Sequence, residues 1–142
     1  MKIGKFTRAN YMMVVKIDPG SNLATLARMN PAAAANYADA ILQELDEIVK
    51  HCTVADPTIR GEELFAQVHA LKNAVAPIGD HALIVACTGL LGPLMQEERR
   101  AEMATQFRLV AAAAATAVAD YRRDFRSTAS IAAASSFKPS GL

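Results

Sequence analysis

The chain has no tryptophan, and aromatic residues fill only 6% of its 142 positions. Hydrophobic residues still reach 52%, but alanine supplies much of that share. Alanine has the highest helix propensity and adds little core volume. The composition therefore predicts closely packed helices with few large anchors. Cysteine is scarce. Cys52 and Cys87 lie far apart and make neither a CxxC pair nor a disulfide framework. Such thiols are expected to be buried, in a reducing compartment. Charge of one sign is also missing. The net charge is +1, and no basic stripe with interleaved aromatics occurs, which argues against nucleic acid and an acidic membrane surface as partners. Long hydrophobic runs are absent. Tyr11 to Val15 is too short for a signal-peptide core and ends at Lys16. Leu109 to Ala119 is mostly alanine and too short to span a bilayer. The expectation is a cytoplasmic protein, with no membrane partner and one domain around one core.

What is present is helical periodicity. The segment NYMMVVKID fits a short strand or a helix start, and Asp18-Pro19-Gly20-Ser21 is a turn. Ser21 or Asn22 caps a short helix to about Met29. Asn30-Pro31 pairs an N-cap residue with a proline at the first helical position. Tyr37, Ile41, Leu45, Ile48 and Cys52 then form one apolar stripe. Asp56-Pro57 reads as a second start, for a helix to about Ala76. Pro77 and Gly79 end or kink that helix. Asp80 caps the next, with Leu83, Cys87, Leu90 and Leu94 on one side and an interruption at Gly92-Pro93. Glu97 to Phe125 is a long final helix with Met103, Phe107, Val110, Ala114, Tyr121 and Phe125 on its stripe. The predicted fold is all-α: an antiparallel four-helix bundle with a short additional N-terminal element. The expected boundaries are an N-terminal segment 1–20, a bundle 21–126 and a flexible Ser/Ala/Pro/Gly-rich tail 127–142.

Known chemical signatures are mostly missing. There is no GxxxxGK[ST], GxGxxG or GxSxG. His51, Cys52, His69, His81 and Cys87 offer no ligand pair spaced by one helical turn, so no metal site is expected. One histidine stands apart. In the third helix Leu64, Val68, Leu71 and Val75 set the core direction. At about 100° per residue, His69 lies about 140° from Leu64, Glu62 about 160° and Asn73 about 180°. His69 therefore faces outward. Lys72 lies one turn on, where its ammonium can offset a negative group on the ring. Ala66 and Ala76 are small and leave the ring open. Phe65 flanks it, and Gly79 permits a tight turn after the helix. A solvated surface helix remains the ordinary reading of Glu62 and Lys72. His51, near a helix C-terminus, favours the helix dipole, and His81 falls at a helix start.

The stretch His69-Ala70-Leu71-Lys72-Asn73-Ala74, with Gly79 ten residues after the histidine, resembles the HxLKGxAxxxG signature of histidine-containing phosphotransfer (HPt) domains. Leu83 and Cys87 match the LxxxC that follows it. The helical layout from about Ser21 to Phe125 is similar as well. The resemblance implies a four-helix bundle that relays phosphoryl groups in two-component signalling. His69 would accept the group from a response-regulator receiver aspartate and pass it to another receiver. Lys72 would compensate charge, and Gly79 would be the turn glycine. A hybrid sensor histidine kinase would stand upstream. The domain would need no cofactor of its own, the receiver holding Mg²⁺, and would act as a monomeric carrier rather than an independent metabolic enzyme. Glu62, Phe65, Ala66, Asn73 and Ala76 would surround the histidine on the docking face.

Asn73 departs from the family pattern, which has glycine there. A helical side chain leans toward the N-terminus, so residue i+4 leans over residue i. Asn73 either crowds the imidazole or donates its amide to a phosphoryl oxygen. This motivates a second reading, a docking module that binds receivers or kinases without carrying phosphate. A third is an unrelated helical bundle in which the motif is coincidental.

Overall fold

The computed structural model describes the backbone of residues 14–140 and the side chains of residues 14–124. Every regular element among the described residues is helical. They are α1 (Asn22–Met29), α2 (Pro31–Lys50), α3 (Gly61–Val75), α4 (His81–Thr88), α5 (Leu91–Leu94) and α6 (Arg100–Ser140). Short 3₁₀ turns, Ala76–Ile78 and Glu97–Arg99, follow α3 and precede α6.

The predicted caps hold at three starts. Ser21 Oγ accepts from Ala24 N–H at 3.1 Å, Asn30 Oδ1 from Ala33 N–H at 3.1 Å, and Asp80 Oδ1 from Leu83 N–H at 3.2 Å. Each satisfies one otherwise unpaired first-turn donor. Asp56-Pro57 does not start a helix. The Asp56 carboxylate accepts instead from Thr58 N–H at 2.8 Å and from its hydroxyl at 2.7 Å. That local turn competes with helix formation, and α3 begins at Gly61. There Glu63 accepts from Arg60 N–H at 3.3 Å. The Thr58 hydrogen bonds, backbone first, hold the Asp56 carboxyl below its ordinary value; weak desolvation opposes them and Arg100 adds to them.

Two further boundaries differ. The expected fourth helix is broken at Gly89 and Leu90, before the Gly92-Pro93 step, giving α4 and a single-turn α5. Leu83, Cys87, Leu90 and Leu94 are all buried nonetheless, so the stripe survives the break. The last helix does not stop at Phe125 but continues through the predicted tail to Ser140. Alanines 129 and 132–134 favour helix, and no glycine intervenes. The Phe125 side chain lies outside the described residues, as do residues 1–13 with most of the N-terminal apolar run. Residues 14–18 are extended without strand pairing.

The helices pack in a circuit. α2 lies against α3, α3 against α4 and α5, these two against α6, and α6 returns along α2. α1 packs beside α2 and the turn after α3. The buried core joins Ile41 and Leu45 of α2, Leu64, Val68, Leu71 and Val75 of α3, and Phe107, Val110, Ala114 and Val118 of α6. Small α2 residues Ala34 and Ala38 are fully buried, which lets backbones approach closely. Each fully buried Leu or Phe contributes about 1.5–3 kcal/mol.

Charge also enters this interior. Arg100 is 6% exposed. Its Nε donates to Leu94 O at 2.9 Å, and one terminal nitrogen donates to Asp56 O at 3.0 Å and Ile59 O at 3.1 Å. One guanidinium thus fastens the α2–α3 loop and the end of α5 to the start of α6. No helix of the described residues is long and apolar enough to cross a membrane.

Candidate functional site

α3 carries the site because its buried face is fixed on three sides. Leu64, Leu71 and Val75 are fully buried, and the opposite face holds Glu62, Phe65, Ala66, His69, Asn73 and Ala76, all exposed. The outward placement expected for His69 is therefore found. The Phe65 and His69 rings, one turn apart, are stacked with centroids 5.7 Å apart and planes inclined by 12°. Among the described residues none forms a hydrogen bond with the His69 ring nitrogens. Lys72, one turn further on, is half-buried and has no ion-pair partner among the described residues. Its ammonium lowers the Cys87 thiol on α4, against the larger effect of burial. Asn73 is exposed and makes no side-chain hydrogen bond among the described residues. Glu62 is committed to an exposed ion pair with Arg60, at 2.9 Å.

Two features brace the histidine's helix. At its N-terminal half, Gln67 is tied to the loop before α3: Thr53 N–H donates to Gln67 Oε1 at 2.9 Å, and Gln67 Nε2 donates to Thr53 Oγ1 at 2.7 Å. Beside it a groove of about 300 Å³ runs between α2 and α3, lined by Glu44, Glu47, Ile48, His51, Ala66, Gln67 and Ala70. Ala66 thus borders both the histidine face and this groove. At the C-terminal end Gly79 adopts φ 75°, a left-handed conformation. A Cβ there would meet Ser21 Cβ at 2.9 Å and Asp18 Cβ at 3.0 Å. Gly79 is needed for the turn and for the close approach of the incoming chain. Asp18 N–H donates to Ile78 O at 2.9 Å, and Lys16 N–H to Asp80 Oδ2 at 3.0 Å. The segment before α1, for which the sequence offered no role, closes the α3–α4 turn.

Cys87 is fully buried, and burial pushes its thiol up to about 11, with Lys72 opposing. Cys52 is only half-buried, and both thiols are free. His51 Nδ1 lies 3.0 Å from Glu47 O at the end of α2, in accord with its place at a helix C-terminus. His81 is exposed in the first turn of α4. No group of three or more potential metal ligands occurs among the described residues.

Sequence periodicity missed the exposed Val85 and Met95, 53% and 56% accessible. Met95 Cε comes within 3.1 Å of a Cβ built on Gly61, which places it at the start of the histidine's helix. Val85 lies between Leu83 and Cys87, off their stripe, a signal that was legible. The position of Met95 depends on the break after α4 and had no local signal.

A scan against protein-family models and searches of curated proteins and solved structures returned no significant match.

Proposed function

We propose that this protein is a phosphorelay carrier of the HPt type that is phosphorylated on His69. One observation carries the reading: a histidine on the outer face of a core-braced helix, with a lysine one turn away, neither of them hydrogen-bonded or ion-paired through its side chain among the described residues. The contact circuit of α2, α3, α4 with α5, and α6 supports an antiparallel four-helix bundle in which α4 and α5 count as one broken helix.

The chemistry follows from these groups. A neutral imidazole nitrogen attacks the phosphorus of an aspartyl phosphate in line. A P–N bond forms, the P–O bond to the aspartate breaks, and the receiver recovers its carboxylate. Negative charge accumulates on three equatorial oxygens, beside which Lys72 supplies a cation. Mg²⁺ belongs to the receiver in this scheme, and the carrier contributes position and charge. Transfer onward to a second receiver reverses the same bonds. A cytoplasmic monomer that meets receivers and a hybrid sensor kinase through one open face suits a transient interface of modest area.

The deciding experiment is transfer from phosphorylated receiver domains to the wild type and to His69→Gln. Label on the wild type alone supports the proposal and shows that Asn73 is tolerated. Asn73 also favours a second reading, a docking module that binds receivers without accepting phosphate. Binding with no label on either protein would establish that one instead. Neither label nor binding across a broad panel would reduce HALKN to coincidence.

A further inference from the structure

A nucleophilic imidazole is usually held by a hydrogen bond from its second nitrogen to a fixed acceptor. His69 has none among the described residues: its ring nitrogens meet no hydrogen-bond partner there, and its ring packs against Phe65. We infer that Phe65 is the positioning residue of the phosphotransfer site, orienting the His69 ring by stacking. This inference rests on the phosphotransfer reading of His69.

The geometry suits the task. At 5.7 Å and 12° the two rings lie nearly parallel and offset, so Phe65 overlaps part of one π-face of the imidazole. The nitrogen lone pair lies in the ring plane, whereas a stacked ring stands above that plane. The stack therefore selects one orientation among the staggered side-chain wells while leaving the attacking atom open. Spacing helps as well, because Phe65 and His69 are four residues apart on one helix and meet without distortion. Phe65 is 55% exposed, so core packing does not account for an aromatic residue there. In-line attack on a docked aspartyl phosphate depends on a pre-set ring direction. Attack on a small diffusing donor does not, since that donor can approach from any side.

The test compares wild type, Phe65→Leu and Phe65→Tyr, with a phosphorylated receiver that labels the wild type and with phosphoramidate as the small donor. Phe65→Leu is expected to lower the saturating transfer rate from the receiver about two- to tenfold, the range that one aromatic stack supports. The phosphoramidate rate should stay at the wild-type value, and Phe65→Tyr should restore the rate of transfer from the receiver. In NMR spectra the His69 ring protons should lie upfield in wild type and Phe65→Tyr, and lose that shift in Phe65→Leu. A changed half-saturation alone would make Phe65 a docking contact and overturn the inference. An equal fall with phosphoramidate would overturn it too, by placing the effect in intrinsic reactivity. A labelled wild type without the upfield shift defeats only the role of Phe65. An unlabelled wild type that shows the shift defeats the phosphotransfer reading itself, and the positioning role with it.

Discussion

Replacing Gly79 by alanine tests the turn on which the site depends. The φ of 75° places a Cβ in the left-handed region, which costs about 1–2 kcal/mol for an L-residue. The new atom would also stand 2.9 Å from Ser21 Cβ and 3.0 Å from Asp18 Cβ. Both are first side-chain atoms and cannot swing aside, so the segment before α1 must move. That movement strains the Asp18 N–H to Ile78 O hydrogen bond, worth about 1 kcal/mol. The sum is about 2–3 kcal/mol. With a urea slope of about 2 kcal/mol/M, the unfolding midpoint should fall by about 1–1.5 M. A double-mutant cycle separates the two causes. Ser21→Gly removes the nearer contact and, as an N-cap exchange, costs only about a few tenths of a kcal/mol. Gly79→Ala should then be milder in the Ser21→Gly background by about 1 kcal/mol. A Gly79→Ala protein within about 0.5 kcal/mol of wild type, or strictly additive effects in the cycle, would refute the reasoning.

Arg100→Met keeps the apolar stem of the side chain but strips three carbonyls of their donor, and should cost about 3–5 kcal/mol in thermal or urea unfolding; a loss below about 1 kcal/mol would show that the loop does not need the guanidinium. Cys87 makes the alkaline limb of stability steeper. Its thiol is raised from 9.0 to about 11 in the fold, so the unfolded chain ionises first. The thiol's contribution is intact below pH 9 and is lost as pH rises toward 11, by about 2–3 kcal/mol at full extent. Cys87→Ala should therefore lose less stability than wild type between pH 9 and 11, and equal slopes would contradict the burial argument.

The helical core could be read from the sequence because its information is local. Leu64, Val68, Leu71 and Val75 recur at helical spacing, and nothing beyond one turn is needed to place them inward. The caps at Ser21, Asn30 and Asp80 are equally local, each an oxygen reaching a backbone N–H three residues on. Asp56-Pro57 shows where such logic fails. The same residue types suit a helix start and a local turn, and Thr58 decides between them by satisfying the carboxylate two residues on. Arg100 escapes local logic altogether. Its partner carbonyls Asp56 and Ile59 lie over forty residues away, and only the folded chain brings them to one guanidinium.

The candidate site divides in the same way. The outward direction of His69 and the neighbourhood of Lys72 follow from helix geometry alone. The tie between Gln67 and Thr53 and the closure of Gly79 against Ser21 do not, because each joins α3 to a segment that approaches from elsewhere. These long-range contacts hold the middle of the histidine's helix and the turn that follows it, while the stack with Phe65 orients the ring. The three supports act on different parts of one lever. Gln67 and Gly79 set where the helix stands against its neighbours, and Phe65 sets where the imidazole edge points. Loss of either helix support should therefore reach the site through stability, whereas loss of the stack should change transfer with the fold intact. Phe65 is more than half exposed, so its removal leaves the core untouched, and the two kinds of effect can be told apart in one set of variants.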